Sequence, residues 1–168
     1  MNRKFKTGEY VIHKSHGMGV IKSIESRDLG NGKTDFYVME IMDLGCTKKV
    51  FIGVNDAENK LRYPINSQEV PDIYGILENT KAEDDHSSWN RKYRDYMEKI
   101  QTGDLQSITE IVRDFIELAK NKELSFGEKM LFQAARNKLV KELALVEGLT
   151  EKQVEDRLKK MPISRNNV

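Results

Sequence analysis

One short stretch of the chain combines a large aromatic side chain with closely spaced cations. Trp89, the only tryptophan, is followed within five residues by Arg91, Lys92 and Arg94. The ring would lie in the first turn of a predicted helix, where a large side chain can overhang the helix end. Such a ring offers a flat surface for stacking, and the neighbouring cations can bind phosphates. The residue types therefore indicate binding chemistry.

The same stretch has a second interpretation, in which the tryptophan belongs to a hydrophobic core. At about 100° per residue, one helical face collects apolar side chains. Its members are Trp89, Tyr93, Tyr96, Met97 and Ile100. Such stripes are usually packing faces, so periodicity alone favours a buried ring with charged residues opposite. Other parts of the chain must decide between the two interpretations.

Composition limits the possible function classes. The 168 residues suit one domain or two small ones, and 33% are charged while 38% are hydrophobic. The net charge of +1 gives no general attraction to nucleic acid; residues 1–68 carry +3 and residues 69–168 carry −2. Any nucleic-acid contact in the second half must therefore be a local patch. The single Cys46 and the absence of a long apolar run predict a cytoplasmic protein.

Few residues could support catalysis or hold a metal ion. His13 and His16 have no partners at metal-ligand spacing, and Cys46 has no nearby histidine or second cysteine. Asp84 and Asp85 are adjacent, so their side chains point apart and do not form an acid–base pair. We therefore expect a binding protein that is not an enzyme and uses no cofactor or metal.

The first 66 residues predict short strands. An Asn-Gly pair within residues 29–32 indicates a hairpin, and two glycines within residues 16–19 allow a turn or bulge with positive φ. The predicted strands are residues 10–12, 20–27, 36–42 and 49–54. Short strands without an intervening helix indicate a small antiparallel barrel or a strongly bent sheet.

Residues 67–168 predict about five helices, which makes the fold class α+β with a helical domain after the β domain of residues 1–66. The helical ranges are residues 67–77, 89–101, 104–119, 125–147 and 150–161, ended by Pro162. Residues 81–87 read as a loop, and Ser87 or Ser88 can cap the second helix. Asp104 is the next predicted N-cap. Capping boxes begin at Ser125 and Thr150, and Gly148 ends a helix.

Two of these helices have well-defined apolar stripes that we expect to be buried. The stripe of the helix after Asp104 comprises Leu105, Ile108, Ile111, Val112, Phe115, Leu118 and Ala119. The stripe of the next helix includes Leu131, Ala134, Ala135, Leu143 and Val146.

Several segments, in order along residues 5–160, resemble the CarD family of bacterial RNA polymerase-binding transcription regulators. Residues 11–21 (VIHKSHGMGVI) and 24–27 (IESR) are similar to the family's opening turn and following strand. Residues 88–93 (SWNRKY) resemble its Trp-x-Arg-Arg-Tyr segment. Residues 124–129 (LSFGEK) and 139–144 (LVKELA) resemble one of its helices. No single segment is specific, but the ordered set is.

The resemblance implies a Tudor-like barrel that docks on the β subunit of RNA polymerase, as the related module of the transcription-repair coupling factor does. It implies a helical domain that contacts promoter DNA at the upstream edge of the transcription bubble. There the family's tryptophan wedges at the fork and slows bubble collapse. Carried over by position, the wedge is Trp89, and the DNA-facing cations are Arg91, Lys92, Arg94 and Lys129. An aromatic ring at an unstacked step, flanked by cations, stabilises open DNA without reading sequence.

The polymerase contact carries over to Arg27. Two positions depart from the family pattern. His13-Lys14 replaces a Tyr-Pro pair, so proline's fixed φ is lost at the first turn. A second polymerase-contacting arginine falls at Phe51, with Lys49 two residues earlier on the same strand face.

The resulting expectation is a monomeric, nucleoid-associated regulator that joins polymerase to the upstream fork and stabilises the open complex. The alternative is a polymerase- or protein-binding adaptor, in which Trp89 is buried and DNA is not contacted. Exposure of the ring favours the first function, and a shielded ring favours the second.

Overall fold

The computed structural model describes residues 4–30, 32–43, 46–79 and 89–161. The chain divides into two compact units, Met1–Pro64 and Ile65–Val168. The Tyr63 hydroxyl donates to the carbonyl of Lys4 at 2.9 Å, within the first unit. The backbone N–H of Ile65 donates to Oε1 of Glu142 at 3.0 Å, within the second. Independent folding of two domains, 1–66 and 67–168, remains a prediction.

Some predicted features lie outside the described residues. They are Asn31 of the hairpin, the loop at residues 81–87, the serine cap at Ser87 or Ser88, and Pro162.

The described residues of the first unit form a curled antiparallel sheet of five strands, which confirms the predicted bent sheet in the form of a half-barrel. The strands are β1 (Tyr10–His13), β2 (Gly17–Asp28), β3 (Lys33–Asp43), β4 (Cys46–Gly53) and β5 (Leu61–Arg62). Their order is β4-β3-β2-β1-β5, so β4 and β5 are the edges of the described sheet. A 3-10 turn (Val54–Asp56) and a short helix, α1 (Ala57–Lys60), connect β4 to β5.

Alternation along the strands builds the core of this unit. One sheet face supplies Ile21, Tyr37, Met39, Ile41 and Ile52, which are buried together with Phe5, Val11, Ala57 and Leu61. The opposite face of β2, β3 and β4 carries most of the charged side chains considered below. Two glycines shape the bend for different reasons. Gly17 has a φ of 80°, as the turn prediction requires, whereas a Cβ on Gly19 would lie 2.5 Å from the Glu40 carbonyl oxygen. Gly19 is therefore needed for close strand approach, and of these two glycines Gly17 alone adopts the positive φ that the sequence allowed.

The described residues of the second unit form a bundle of five helices, as predicted. They are α2 (Val70–Glu78), α3 (Trp89–Thr102), α4 (Leu105–Asn121), α5 (Phe126–Glu147) and α6 (Glu151–Lys160). Helix α2 begins three residues later than predicted, because Asn66 and Glu69 close a turn in which the Asn66 N–H donates to the Glu69 carboxylate. Within the described ranges, no helix has the length and apolarity that crossing a bilayer requires.

Local capping fixes where these helices begin and end. The Asp104 carboxylate accepts from the backbone N–H of Ser107 at 2.8 Å. Reciprocal capping boxes open α5 at Ser125 and α6 at Thr150, and Gly148 ends α5 with a φ of 66°. All four predicted signals are confirmed.

Burial of the predicted stripes is largely confirmed. On α4, the stripe residues Leu105, Ile108, Ile111, Val112 and Phe115 are buried, while Leu118 and Ala119 pack at the edge of the core. On α5, Leu131, Ala135 and Leu143 are buried and Val146 packs at the edge. Ala134 is exposed, contrary to prediction, because the buried stripe runs through Phe132, Leu139 and Val140 instead.

Candidate functional site

Trp89 lies outside the core of the second unit. Its side chain is 38% exposed, and its ring centroid is 5.9 Å from that of Tyr93, which is 40% exposed. A Cβ built on Gly127 would lie 3.8 Å from Cζ2 of Trp89, so the ring lies beside the first turn of α5. Trp89 is thus positioned by the beginnings of two helices while part of its surface remains accessible.

The apolar stripe of α3 changes character along its length. Toward the end of the helix, Ile100 is only 7% exposed, and Tyr96 packs on Phe115 with ring centroids 5.3 Å apart. The Tyr96 hydroxyl also donates to the carboxylate of Asp114 at 3.2 Å. The periodicity-based interpretation of one continuous packing face is therefore correct for the second half of α3 and wrong for Trp89 and Tyr93.

The cations predicted to accompany Trp89 lie on the first two turns of α3. Arg91 and Arg94 are exposed, and Lys92 is half-buried. Neither arginine has an ion-pair partner among the described residues. The first turn of α3 contains no acidic residue. Cations near a helix N-terminus oppose the helix dipole, so this arrangement does not serve helix stability and favours an anionic partner.

Lys129, the remaining predicted DNA contact, lies on the first turn of α5 and has an intramolecular partner. Its ammonium group is 2.8 Å from the carboxylate of Glu123, and this hydrogen bond lowers the pKa of Glu123. The structure thus brings Lys129 to the helix beginning beside Trp89, but with its charge compensated.

The neighbouring capping box has its own compensated carboxylate. Glu128 accepts from the backbone N–H of Ser125 at 2.7 Å and from Lys122 at 2.8 Å. Burial alone would raise the pKa of Glu128, but these hydrogen bonds outweigh it, and the pKa lies below its usual value. The carboxylate is therefore charged at neutral pH and fixes the first turn of α5.

The predicted polymerase-contacting residues of the first unit also come together. The guanidinium carbon of Arg27 lies 3.8 Å from the ring centroid of Phe51, and Nη2 of Arg27 is 3.0 Å from the carboxylate of Glu25. Arg27 and Phe51 are both exposed, on β2 and β4. The guanidinium thus contacts both an aromatic ring and a carboxylate before any partner binds.

Lys49 lies on β4 two residues before Phe51, on the same face of the strand. It is opposite Glu40 of β3 in the sheet register, with 3.8 Å between the charged groups. Lys22 pairs with the same carboxylate at 3.6 Å. The sheet face around Arg27 is therefore a mosaic of paired charges beside an exposed ring.

The His13 side chain closes the first turn, which the sequence predicted to lack the fixed φ of a proline. Its Nδ1 accepts from the backbone N–H groups of Ser15 and His16, each at 3.2 Å. The side chain is buried and stacks near His16, with ring centroids 4.6 Å apart. A side-chain acceptor thus closes the turn in place of a fixed φ.

Both units match known protein-family models. Residues 5–65 match the CarD-like/TRCF RID domain, and residues 72–159 match the CarD C-terminal domain. The chain belongs to the CarD family. This CarD-family protein is 28% identical over 150 residues to a Bacillus subtilis (strain 168) protein named as a candidate transcription factor, YdeB. The match covers 89% of the chain and 97% of the relative.

Membership of the CarD family agrees with the presence of one candidate binding surface on each unit, around Arg27 and around Trp89. The family comprises non-enzymatic transcription regulators that interact with RNA polymerase. The sequence patterns did not predict two features of the CarD-family protein. These are the exposure of Phe126 and Met130 on α5 and the pairing of Lys129 with Glu123. The first could have been found, because both apolar residues lie opposite the buried stripe of α5. The second depends on side-chain positions that spacing does not determine.

Proposed function

We propose that this CarD-family protein binds the β subunit of RNA polymerase through the sheet face around Arg27 and stabilises open promoter DNA through Trp89. In this function the ring lies at the upstream fork of the transcription bubble and slows its collapse. The protein acts as a monomer, without catalysis, on the nucleoid in the cytoplasm.

The proposal rests on the surroundings of Trp89, which is partly exposed at the beginning of α3. The first two turns of this helix carry three cations, and its first turn carries no carboxylate. An aromatic wedge at an unstacked base step needs an accessible ring. The flanking phosphates need cations without a carboxylate partner, and Arg91 and Arg94 have none among the residues that the structure describes. The adaptor alternative requires a shielded ring, and the observed exposure of Trp89 favours the DNA function instead.

The weak overall charge also fits a protein that is delivered to DNA by polymerase. A net charge of +1 provides little general attraction to a duplex. Docking on polymerase makes the DNA contact intramolecular, so a small patch of cations suffices at the resulting high effective concentration.

Replacement of Trp89 by alanine tests the proposal. A core tryptophan replaced by alanine costs about 3–5 kcal/mol of stability, and a partly exposed one costs less. Stacking one ring on a base contributes about 1–3 kcal/mol. We therefore expect competitor-resistant promoter complexes to decay about five-fold to more than one hundred-fold faster, with a small change in thermal stability.

The control variant is Ile100→Ala, which removes a buried residue of the same helix. It should lower the melting temperature more than Trp89→Ala does, without changing promoter-complex decay at temperatures where it is folded. If Trp89→Ala melts much earlier but leaves the decay unchanged, the adaptor function replaces the proposed one.

A further inference from the structure

Four large apolar side chains remain exposed among the described residues of the second unit. They are Trp89 (38%), Tyr93 (40%), Phe126 (81%) and Met130 (59%). They occupy the first and fifth residues of α3 and of α5. Residues four apart share one face of a helix, so each helix contributes one pair at its beginning.

The two pairs lie near each other, where α3 and α5 begin. Gly127, which directly follows Phe126, lies beside the ring of Trp89. We call the surface formed by Trp89, Tyr93, Phe126 and Met130 the α3–α5 patch. Exposed apolar patches of this kind mark binding sites more often than isolated exposed residues do.

The folding of α5 does not require a phenylalanine at position 126. Its side chain is opposite the stripe that contains Leu131, Ala135 and Leu139, and it is the most exposed large apolar residue in the described chain. The capping box between Ser125 and Glu128 fixes the first turn without using the side chain at position 126. The phenylalanine ring at this position is therefore available for binding, since neither packing nor capping uses it.

Charge around the α3–α5 patch identifies the kind of partner. Arg91 and Arg94 lie on the same two turns of α3 as Trp89 and Tyr93, toward the opposite side of the helix, and no carboxylate compensates them among the described residues, while Glu123 and Glu128 pair with lysines. Aromatic rings beside uncompensated cations suit unpaired nucleotides, whose bases stack and whose phosphates are anionic. An apolar peptide would leave the cations without partners.

We propose that Phe126 is a second base-stacking residue of the site. This inference rests on the proposed function of Trp89 at the upstream fork. Trp89 and Phe126 project from the beginnings of adjacent helices, and each contacts an unpaired base at the fork. Stacking accepts any base, so the second ring increases the preference for open over paired DNA without adding sequence specificity.

The test compares binding of the full-length chain to two DNA molecules of the same sequence, one fully paired and one with an unpaired fork carrying 2-aminopurine. Phe126→Ala should reduce the preference for forked over paired DNA about five-fold or more, the lower limit for one stacked ring. Affinity for the paired duplex should change little. The part of the 2-aminopurine quenching that comes from contacts other than Phe126 should also change little. Phe126→Leu keeps an apolar side chain without a π face and should behave like Phe126→Ala.

Tyr10→Ala is the matched control, because Tyr10 is an exposed aromatic residue of the first unit. It should leave the fork preference unchanged. If Trp89→Ala abolishes the fork preference while Phe126→Ala does not alter it, the role of Phe126 is overturned and the proposed function stands. If neither variant alters it, both fail. Loss of polymerase binding in Phe126→Ala, with the fork preference intact, would identify the patch as a protein contact and also overturn the inference.

Discussion

The two units present exposed aromatic rings in opposite electrostatic settings. In the first unit, Phe51 lies under the guanidinium of Arg27, which also pairs with Glu25. In the second unit, Trp89 lies near Arg91 and Arg94, which have no carboxylate partner among the described residues. Among the described residues, one surface pairs its charges within itself and the other has an excess of positive charge.

This difference indicates different kinds of partner. A protein surface presents fixed charges of both signs, so a mosaic with oriented groups gives specificity and register. DNA presents a regular row of negative charges, and cations that lack partners gain most from it. A preassembled surface and an uncompensated one in the same chain therefore suit polymerase and promoter DNA, respectively.

Removal of residues 67–168 should have the largest effect of the changes that test this comparison. The remaining residues 1–66 contain the core of the first unit and should unfold in one cooperative thermal transition with little helical circular dichroism. They should still be retained by the isolated β-subunit lobe but should not affect promoter-complex lifetime. An unfolded fragment would show that the two units depend on each other for stability.

Charge reversal at Arg27 should break the polymerase contact alone. Arg27→Glu replaces an oriented guanidinium by a carboxylate next to Glu25, and loss of a desolvated charged contact costs about 2–5 kcal/mol. Pull-down with the β-subunit lobe should therefore weaken about thirty-fold or more. The control Lys60→Glu reverses a charge on α1, where Lys60 pairs with Asp56, and should have no effect. Unchanged retention of Arg27→Glu would remove this residue from the interface.

Loss of both uncompensated arginines should change the salt dependence of DNA binding. Each phosphate contact contributes about 0.9 to the slope of log affinity against log salt concentration. Arg91→Ala combined with Arg94→Ala should thus reduce the slope by about two, with polymerase-lobe binding unaffected. The control is Lys99→Ala. Lys99 lies in the last turn of α3 and pairs with Glu110 of α4. Equal slopes for the two variants would contradict the predicted phosphate contacts.

The smallest expected effect concerns the compensated cation, Lys129. Glu123→Gln releases it and removes a negative charge near the α3–α5 patch. Exposed ion pairs contribute about 0.2–1 kcal/mol, so DNA affinity should increase by at most about five-fold at low salt, and the gain should disappear at high salt. Glu117→Gln, which releases Lys120 on α4, provides the comparison. Equal gains from both substitutions would reflect net charge alone.

Short-range patterns predicted the helix boundaries well. The N-caps at Asp104, Ser125 and Thr150 and the stop at Gly148 each depend on residues within one turn, so spacing alone defines them. The hairpin between β2 and β3 was predicted for the same reason.

Features that depend on neighbouring elements were harder to predict. Periodicity grouped Trp89 with Ile100, but it could not indicate that core packing covers only the later part of α3. Contact between Arg27 and Phe51 depends on the register of three strands. The turn at His13 was predicted to lose its constraint, because the side-chain hydrogen bonds that replace proline depend on ring orientation.

In the proposed function, Trp89 contacts DNA at the upstream fork of the transcription bubble. Photo-crosslinking tests it most directly, with 5-bromodeoxyuridine placed at single positions of a promoter bound by polymerase and the full-length chain. We predict a crosslink to Trp89 when the reactive base is at the upstream fork, and none when it is about one helical turn, ten base pairs, further upstream. A fork crosslink of equal yield with Trp89→Ala, or none while the chain stays bound to polymerase, would contradict the account.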